Sequence, residues 1–323
     1  MSAKPVIALF AGDPAGIGPE LVARLLANPE VTQKADIRLI ASRAVLREGM
    51  RNAGCSFDFE PLLVPWSGID SGGFERGVAG EKNGRFMLDG LRKGVDMCRS
   101  GEADALCFAP LNKAALRAGG MDHPDELHWF QEVLDFKGTA VELNVLEGLW
   151  TSRVTSHVAL SEVAGLLRKE SVAEMIELIT ASLKRAGVAQ PRIAVCGLNP
   201  HNGDNGAYGR EEIDIIGPGV EIARAKGFPA DGPFPADTIF VRATRKTGGY
   251  DGVVTMYHDQ GQIAMKLLGF ERGVTVQGGL PMPITTPAHG TAYDIAGRGA
   301  ANAGAMKNAF DLACVMAGQA SAR

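Results

Sequence analysis

The chain has no apolar run approaching the ~20 residues a membrane helix needs, and no internal repeat, charge block or low-complexity linker. The run after Met1-Ser-Ala-Lys-Pro5, Val6–Phe10, is too short for a secretory signal with its cleavage site. The five cysteines, at 55, 98, 107, 196 and 314, are odd in number, scattered and free of CxxC. That excludes a disulfide framework and a zinc ribbon, and points to a reducing compartment. Basic clusters are also missing. With 33 basic and 37 acidic side chains the net charge is −4, so no cationic face is available for nucleic-acid phosphates. Aromatics make up only 6% of residues, and Trp129, Trp150 and Tyr208 read as packing residues rather than base-stacking platforms. The expectation is a cytoplasmic protein without nucleic-acid or membrane partners.

What is present is a chain of 323 residues, enough for two domains at about 150 residues each. Short buried runs suited to strands alternate with helical patterns. Val6–Ala11, Ile37–Ala41, Ala105–Ala109, Arg192–Gly197 and Gly252–Met256 predict strands. Helices are predicted from about Pro19 to Leu26 and over Phe86–Cys98. Ala140–Leu146 and Leu149–Thr155, separated by Glu147-Gly148, predict an antiparallel hairpin. Ser171-Val-Ala-Glu174 has the form of a capping box opening a helix, with Val172, Met175, Ile176, Ile179 and Leu183 as its stripe and Gly187 as its stop. This alternation predicts a three-layer αβα architecture around a mostly parallel sheet. In such sheets ligands gather beyond the carboxyl ends of the strands.

Several residues at predicted strand ends could carry chemistry. Gly12-Asp-Pro-Ala-Gly-Ile-Gly-Pro-Glu20 is a strand–loop–helix junction, neither GxGxxG nor a P-loop. Its glycines 12, 16 and 18, with Asp13, either form a tight turn or cradle an anion or other ligand at a helix start. His157, His201 and His258 each follow a predicted strand, so three imidazoles could converge on one sheet edge as divalent-metal ligands. Taken singly, each is equally a loop histidine satisfied by hydrogen bonds. Asp259, next to His258, could orient the imidazole or move a proton. Lys266 lies in an otherwise apolar segment, either snorkelling to solvent or serving as a desolvated amine. Arg298, in Ala296-Gly-Arg-Gly299, is a lone cation of the same kind.

Seven blocks, in order, carry a resemblance. Gly12–Glu20, Ala109-Pro-Leu-Asn-Lys113, Gly197-Leu-Asn-Pro-His201, Gly209-Arg-Glu-Glu212, Ala236-Asp-Thr238, Tyr257-His-Asp-Gln-Gly261 and His289-Gly-Thr-Ala292 resemble the PdxA family. These are the 4-hydroxythreonine-4-phosphate dehydrogenases and their catabolic relatives. The resemblance implies an isocitrate/isopropylmalate dehydrogenase-like fold with two α/β domains and an interdomain cleft. Approximate domains are 1–125 with 290–323, and 126–289. It further implies a homodimer sharing its active sites, and oxidation of a β-hydroxy acid by NAD or NADP followed by loss of CO₂. The family's metal histidines fall on His157, His201 and His258, one of them reaching the site from the partner subunit. The ion is divalent, with Zn, Co, Ni, Mn and Mg all candidates. Its substrate-contacting lysine falls on Lys266, and Lys266, Asp259 and Asp237 are the candidates for proton transfer.

Four substrate-contacting positions depart from the biosynthetic pattern. The family's His and Thr are Glu126 and Leu127 here, and its Asn and Arg are Thr275 and Ile284. Losing a cation while gaining a carboxylate disfavours a phosphate dianion. The resemblance therefore implies retained chemistry on an altered small-molecule substrate. One branch keeps a 4-phosphate; the other takes an unphosphorylated acid such as the cis-dihydrodiol of terephthalate. A ligand-binding homologue that has lost catalysis is the reading from a different class.

Overall fold

A computed structural model describes residues 4–320. Its strands are β1 (Val6–Phe10), β2 (Asp36–Ile40), β3 (Ala105–Phe108), β4 (Val141–Leu146), β5 (Leu149–Arg153), β6 (Ile193–Cys196), β7 (Ala230–Phe234), β8 (Gly252–Thr255), β9 (Val274–Gly278) and β10 (Ile284–Pro287). Two compact units result, one of residues up to Ala140 and from Val274 onward, the other Val141–Gly273. The helix Glu126–Val133 and strands β9 and β10 therefore lie in the first unit, whereas the sequence-based boundaries put them in the second. Among the described residues no helix is long and apolar enough to cross a membrane.

The first unit has strand order β2-β1-β3-β10-β9, all parallel except the antiparallel β10–β9 pair. Successive β1 side chains point to opposite faces, and four of its five residues are buried, so both faces need cover. Ala8 and Phe10 join Leu106, Phe108 and Ile284 in a core with Phe86, Met87 and Leu91 of the helix Glu81–Arg99. On the other face Thr285 donates its hydroxyl to the carbonyl of Ala309, 2.9 Å away in the helix Gly304–Ala320.

The second unit has order β4-β5-β8-β6-β7, parallel except for the β4–β5 hairpin. Glu147 and Gly148 both have positive φ (47° and 90°), the turn geometry that a two-residue hairpin requires. Ile176, Ile179 and Leu183 are fully buried on the helix Lys169–Arg185. Ile179 and Leu183 lie directly over Gly252 of β8. The helix starts two residues before Ser171, so the expected capping box lies inside it. Arg168 is the N-cap, because its extended backbone (φ −138°) presents its carbonyl to the amide of Val172 at 3.1 Å.

Gly84 gives a direct test of packing in the first unit. A Cβ there would collide with the backbone carbonyl oxygen of Ala115. In an open helix Gly→Ala gains ~1 kcal/mol of helix propensity, whereas overpacking against fixed backbone costs about 1–3 kcal/mol. The second effect wins, so Gly84→Ala is expected to lower stability, read as an earlier urea midpoint with an unchanged m value.

Candidate functional site

In the second unit the parallel neighbours β5, β8 and β6 end at one edge, and each runs into a histidine. Beyond the last strand residues, β5 and β8 stay tied together. Val154 N donates to Thr255 O (2.9 Å) and Thr155 N to Met256 O (3.1 Å). The buried hydroxyls of Thr155 and Thr255 donate to Met256 O (2.8 Å) and Ser152 O (2.9 Å). This lacing carries the two following loops side by side, and the rings of His157 and His258 end 5.5 Å apart at 37°. Asp259 Oδ1 lies 2.7 Å from His258 Nδ1, which orients that ring. His157 has φ 53°, a conformation that costs a β-carbon-bearing residue energy and concentrates at functional positions.

His201 is placed differently. It opens a left-handed turn in which His201, Asn202, Gly203, Asp204 and Asn205 all have φ between 42° and 80°. Glycine, Asn, Asp and His are the residue types that tolerate this region, whereas other L-residues lose ~1–2 kcal/mol each. The His201 ring packs 6.4 Å from that of Tyr208. Among the described residues no group of three or more His, Cys, Asp or Glu is arranged to hold a metal ion. The structure thus brings together two of the three expected ligands.

Two residues quoted within the family-like blocks, but given no role there, organise these loops. Glu212 is 4% exposed, and its Oε1 accepts from the amides of Leu198 and Asn199, both at 2.7 Å. Gln260 sits in the first turn of the helix that His258 begins. It accepts from Met256 N (2.7 Å) and donates to Gly197 O (2.8 Å), joining that helix to the end of β6. The signal for Glu212 lay in Gly209-Arg-Glu-Glu212, a carboxylate pair following a segment rich in turn residues.

Lys266 is exposed on the helix His258–Gly269, eight residues after His258 and so on the same helical face. Asp259 and Asp237 are exposed in the first turns of their helices, His258–Gly269 and Ala236–Ala243.

In the first unit the glycine loop is internally satisfied. The amides of Asp13, Ala15, Gly16 and Ile17 donate to Pro110 O (3.0 Å), Asp13 Oδ1 (2.9 Å), Asp13 O (3.2 Å) and Thr291 O (3.0 Å). Those four N–H groups are therefore not what the loop presents to an anion. Gly12 has φ 74°, and a Cβ at Gly16 would lie 2.8 Å from Thr291, so both glycines serve the close approach of neighbouring backbone. Gly18 likewise abuts Ala11 O. Beside the loop is a cavity of about 170 Å³ lined in part by Gly16, Glu20, Asn52, Arg76 and Gly297. Glu20 Oε1 accepts from Ala301 N and Arg24, each at 3.0 Å, while its buried Oε2 has no partner among the described residues. A free carboxylate oxygen here suits a hydrogen-bond donor rather than an anion.

The four altered positions also lie in this unit. Ile284 (0% exposed) and Leu127 (6%) belong to the apolar core with Trp129 and Phe130. Glu126 is buried and Thr275 half-buried on β9.

The fold and its edge define an α/β protein with flanking helices, mixed sheet pairing and histidines at successive strand ends. The family model described as pyridoxal phosphate biosynthetic protein PdxA matches residues 25–313, and the chain belongs to that family. A Pseudomonas aeruginosa protein provisionally named 4-hydroxythreonine-4-phosphate dehydrogenase 2 is 58% identical over 326 residues, covering 97% of each chain. The crystal structure of the Klebsiella pneumoniae 4-hydroxythreonine-4-phosphate dehydrogenase superposes with TM-score 0.83 at 32% identity, covering 98% of this chain and 99% of that one. A terephthalate 1,2-cis-dihydrodiol dehydrogenase from Burkholderia xenovorans gives TM-score 0.67 at 25% identity, with 95% and 98% covered.

Burial raises the pKa of Asp13 above 3.8, against the opposing hydrogen bonds from Tyr293 (2.5 Å) and the Ala15 amide. A raised carboxyl pKa contributes stability that is complete below the unfolded value and is lost as pH rises through the folded one. The stability of the wild type relative to Asp13→Asn should therefore be most favourable in acid and decline as pH rises above about 4. Urea titrations across pH 3–8 measure it.

Proposed function

We propose that the chain is a divalent-metal- and NAD(P)-dependent dehydrogenase of PdxA type, oxidising a β-hydroxy carboxylic acid whose keto product then loses CO₂. Family membership together with the paired His157 and His258 carries this reading. The imidazole nitrogens, the Asp259-oriented ring and the left-handed backbone at His157 and His201 fit a divalent ion. His157, His201 and His258 would hold it, and a bound ion would polarise the substrate hydroxyl and stabilise negative charge left by decarboxylation. A bound nicotinamide would accept the hydride from the hydroxyl-bearing carbon, while a protein base takes the hydroxyl proton. After C–C cleavage releases CO₂, the enolate carbon takes up a proton. Lys266, Asp259 and Asp237 are the groups proposed for these transfers.

The proposal includes a homodimer. Ile263 (59% exposed) and Leu267 (83%) stand beside Lys266 on the helix that begins at His258. A second copy covering them would bring its own residues to that helix, which fits a ligand set that one chain leaves at two. The isocitrate/isopropylmalate dehydrogenase-like form of the fold is part of the same reading, supported by the glycine junction after β1 and the antiparallel β9 within an otherwise parallel half-sheet.

For the substrate we favour an acid without a 4-phosphate. Where the family carries a substrate-contacting arginine this chain has Ile284, so a cation that a phosphate dianion would use is missing. The likeness to the terephthalate dihydrodiol enzyme supports a ring-bearing dihydrodiol carboxylate within this reading.

His157→Ala and His258→Ala should each weaken Co²⁺ binding at least tenfold by titration calorimetry. Unchanged affinity would remove these residues from the ligand set. Metal-loaded protein should form NADH or NADPH and CO₂ from β-hydroxy acids, with unphosphorylated members turning over fastest. Turnover confined to 4-phosphorylated members would overturn the substrate assignment. No reduction of either cofactor by any member would favour the catalytically silent homologue.

A further inference from the structure

Among the described residues Glu212 has no ion pair, yet it is nearly fully buried among backbone donors. Its Oε1 accepts from two consecutive amides, Leu198 and Asn199, where the chain leaves β6. Its Oε2 accepts from the Asn199 side-chain amide at 2.9 Å. The same carboxylate lies beneath the left-handed turn. A Cβ at Gly203 would stand 2.7 Å from Oε2, and one at Gly197 3.0 Å from Oε1. One buried anion is thus in close contact with both ends of the segment that carries His201. Gln260 and Phe234 hold Gly197 at the start of the segment and Glu211 accepts from the Asn199 side chain, but Glu212 is the group that meets both the strand end and the turn itself. Its internal bonds, Asn202 N to Asn199 O (3.1 Å) and Tyr208 N to Gly203 O (3.1 Å), close the turn but do not anchor it to the sheet.

We infer that Glu212 is the positioning residue for His201, its carboxylate fixing the left-handed turn that aims the imidazole. The inference rests on the metal reading proposed above only for what His201 binds; the anchoring of the turn stands on the hydrogen bonds alone. Charge-assisted bonds to two adjacent amides are stronger than neutral ones and directional. Glu212→Gln keeps the shape and one carbonyl acceptor but loses the charge. Glu212→Ala loses every acceptor and leaves the two amides without partners.

The test combines amide hydrogen exchange of the metal-free protein with Co²⁺ titration calorimetry on wild type, Glu212→Gln, Glu212→Ala and His201→Ala. Expected are at least tenfold faster exchange over residues 198–206 in Glu212→Ala and a Co²⁺ affinity at least tenfold weaker, approaching that of His201→Ala. Exchange across β5 and β8 should be unchanged, which a general loss of structure would not leave intact. Glu212→Gln should fall between wild type and Glu212→Ala in both measurements. Wild-type exchange over 198–206 in Glu212→Ala overturns the inference, as does Co²⁺ affinity within twofold of wild type while His201→Ala binds weakly. If the wild type itself binds no Co²⁺, the metal reading fails separately, and faster exchange confined to 198–206 still supports the anchoring role.

Discussion

The parallel alignment of β5, β8 and β6 is the constraint on which the candidate site depends. Parallel neighbours deliver their carboxyl ends to one edge, so residues more than forty positions apart in sequence become neighbours in space. Hydrogen bonding past the strand ends extends this order into the loops. Thr155 and Thr255 are buried polar residues whose hydroxyls donate to carbonyls of the neighbouring segment, and a hydroxyl in that setting is stable only while paired. The approach of His157 to His258 is a consequence of that lacing rather than of any attraction between the rings.

Polar loops at the end of an apolar sheet must satisfy their own backbone. The glycine loop of the first unit does so by spending its amides on Pro110, Asp13 and Thr291. The His201 segment relies on a carboxylate supplied from downstream. Both solutions leave side chains rather than backbone amides to carry any chemistry at these loops.

Strands β1–β6 and β8 were legible as short β-rich runs, with the Glu147-Gly148 hairpin legible because its turn chemistry is local, whereas β7, β9 and β10 were not, β7 because Ala230-Asp-Gly-Pro-Phe234 is no apolar run. The capping box was misplaced because Arg168 satisfies the helix start with its backbone, which composition does not reveal. Motif position named Leu127 and Ile284 as residues of the substrate pocket, but their neighbours come from distant segments. Those neighbours, Leu106 and Phe130 among them, place both side chains in the core. The left-handed turn at His201 was visible only as a run of tolerant residues, since what holds it is Glu212, brought back by the fold.

The most direct test of the account is anomalous diffraction at the cobalt edge from crystals of Co²⁺-loaded protein. The account predicts one strong peak per active site, coordinated by nitrogens of His157, His201 and His258, whether from one copy or two. A peak that touches none of these imidazoles, or no peak from protein that binds Co²⁺ stoichiometrically in solution, would contradict it.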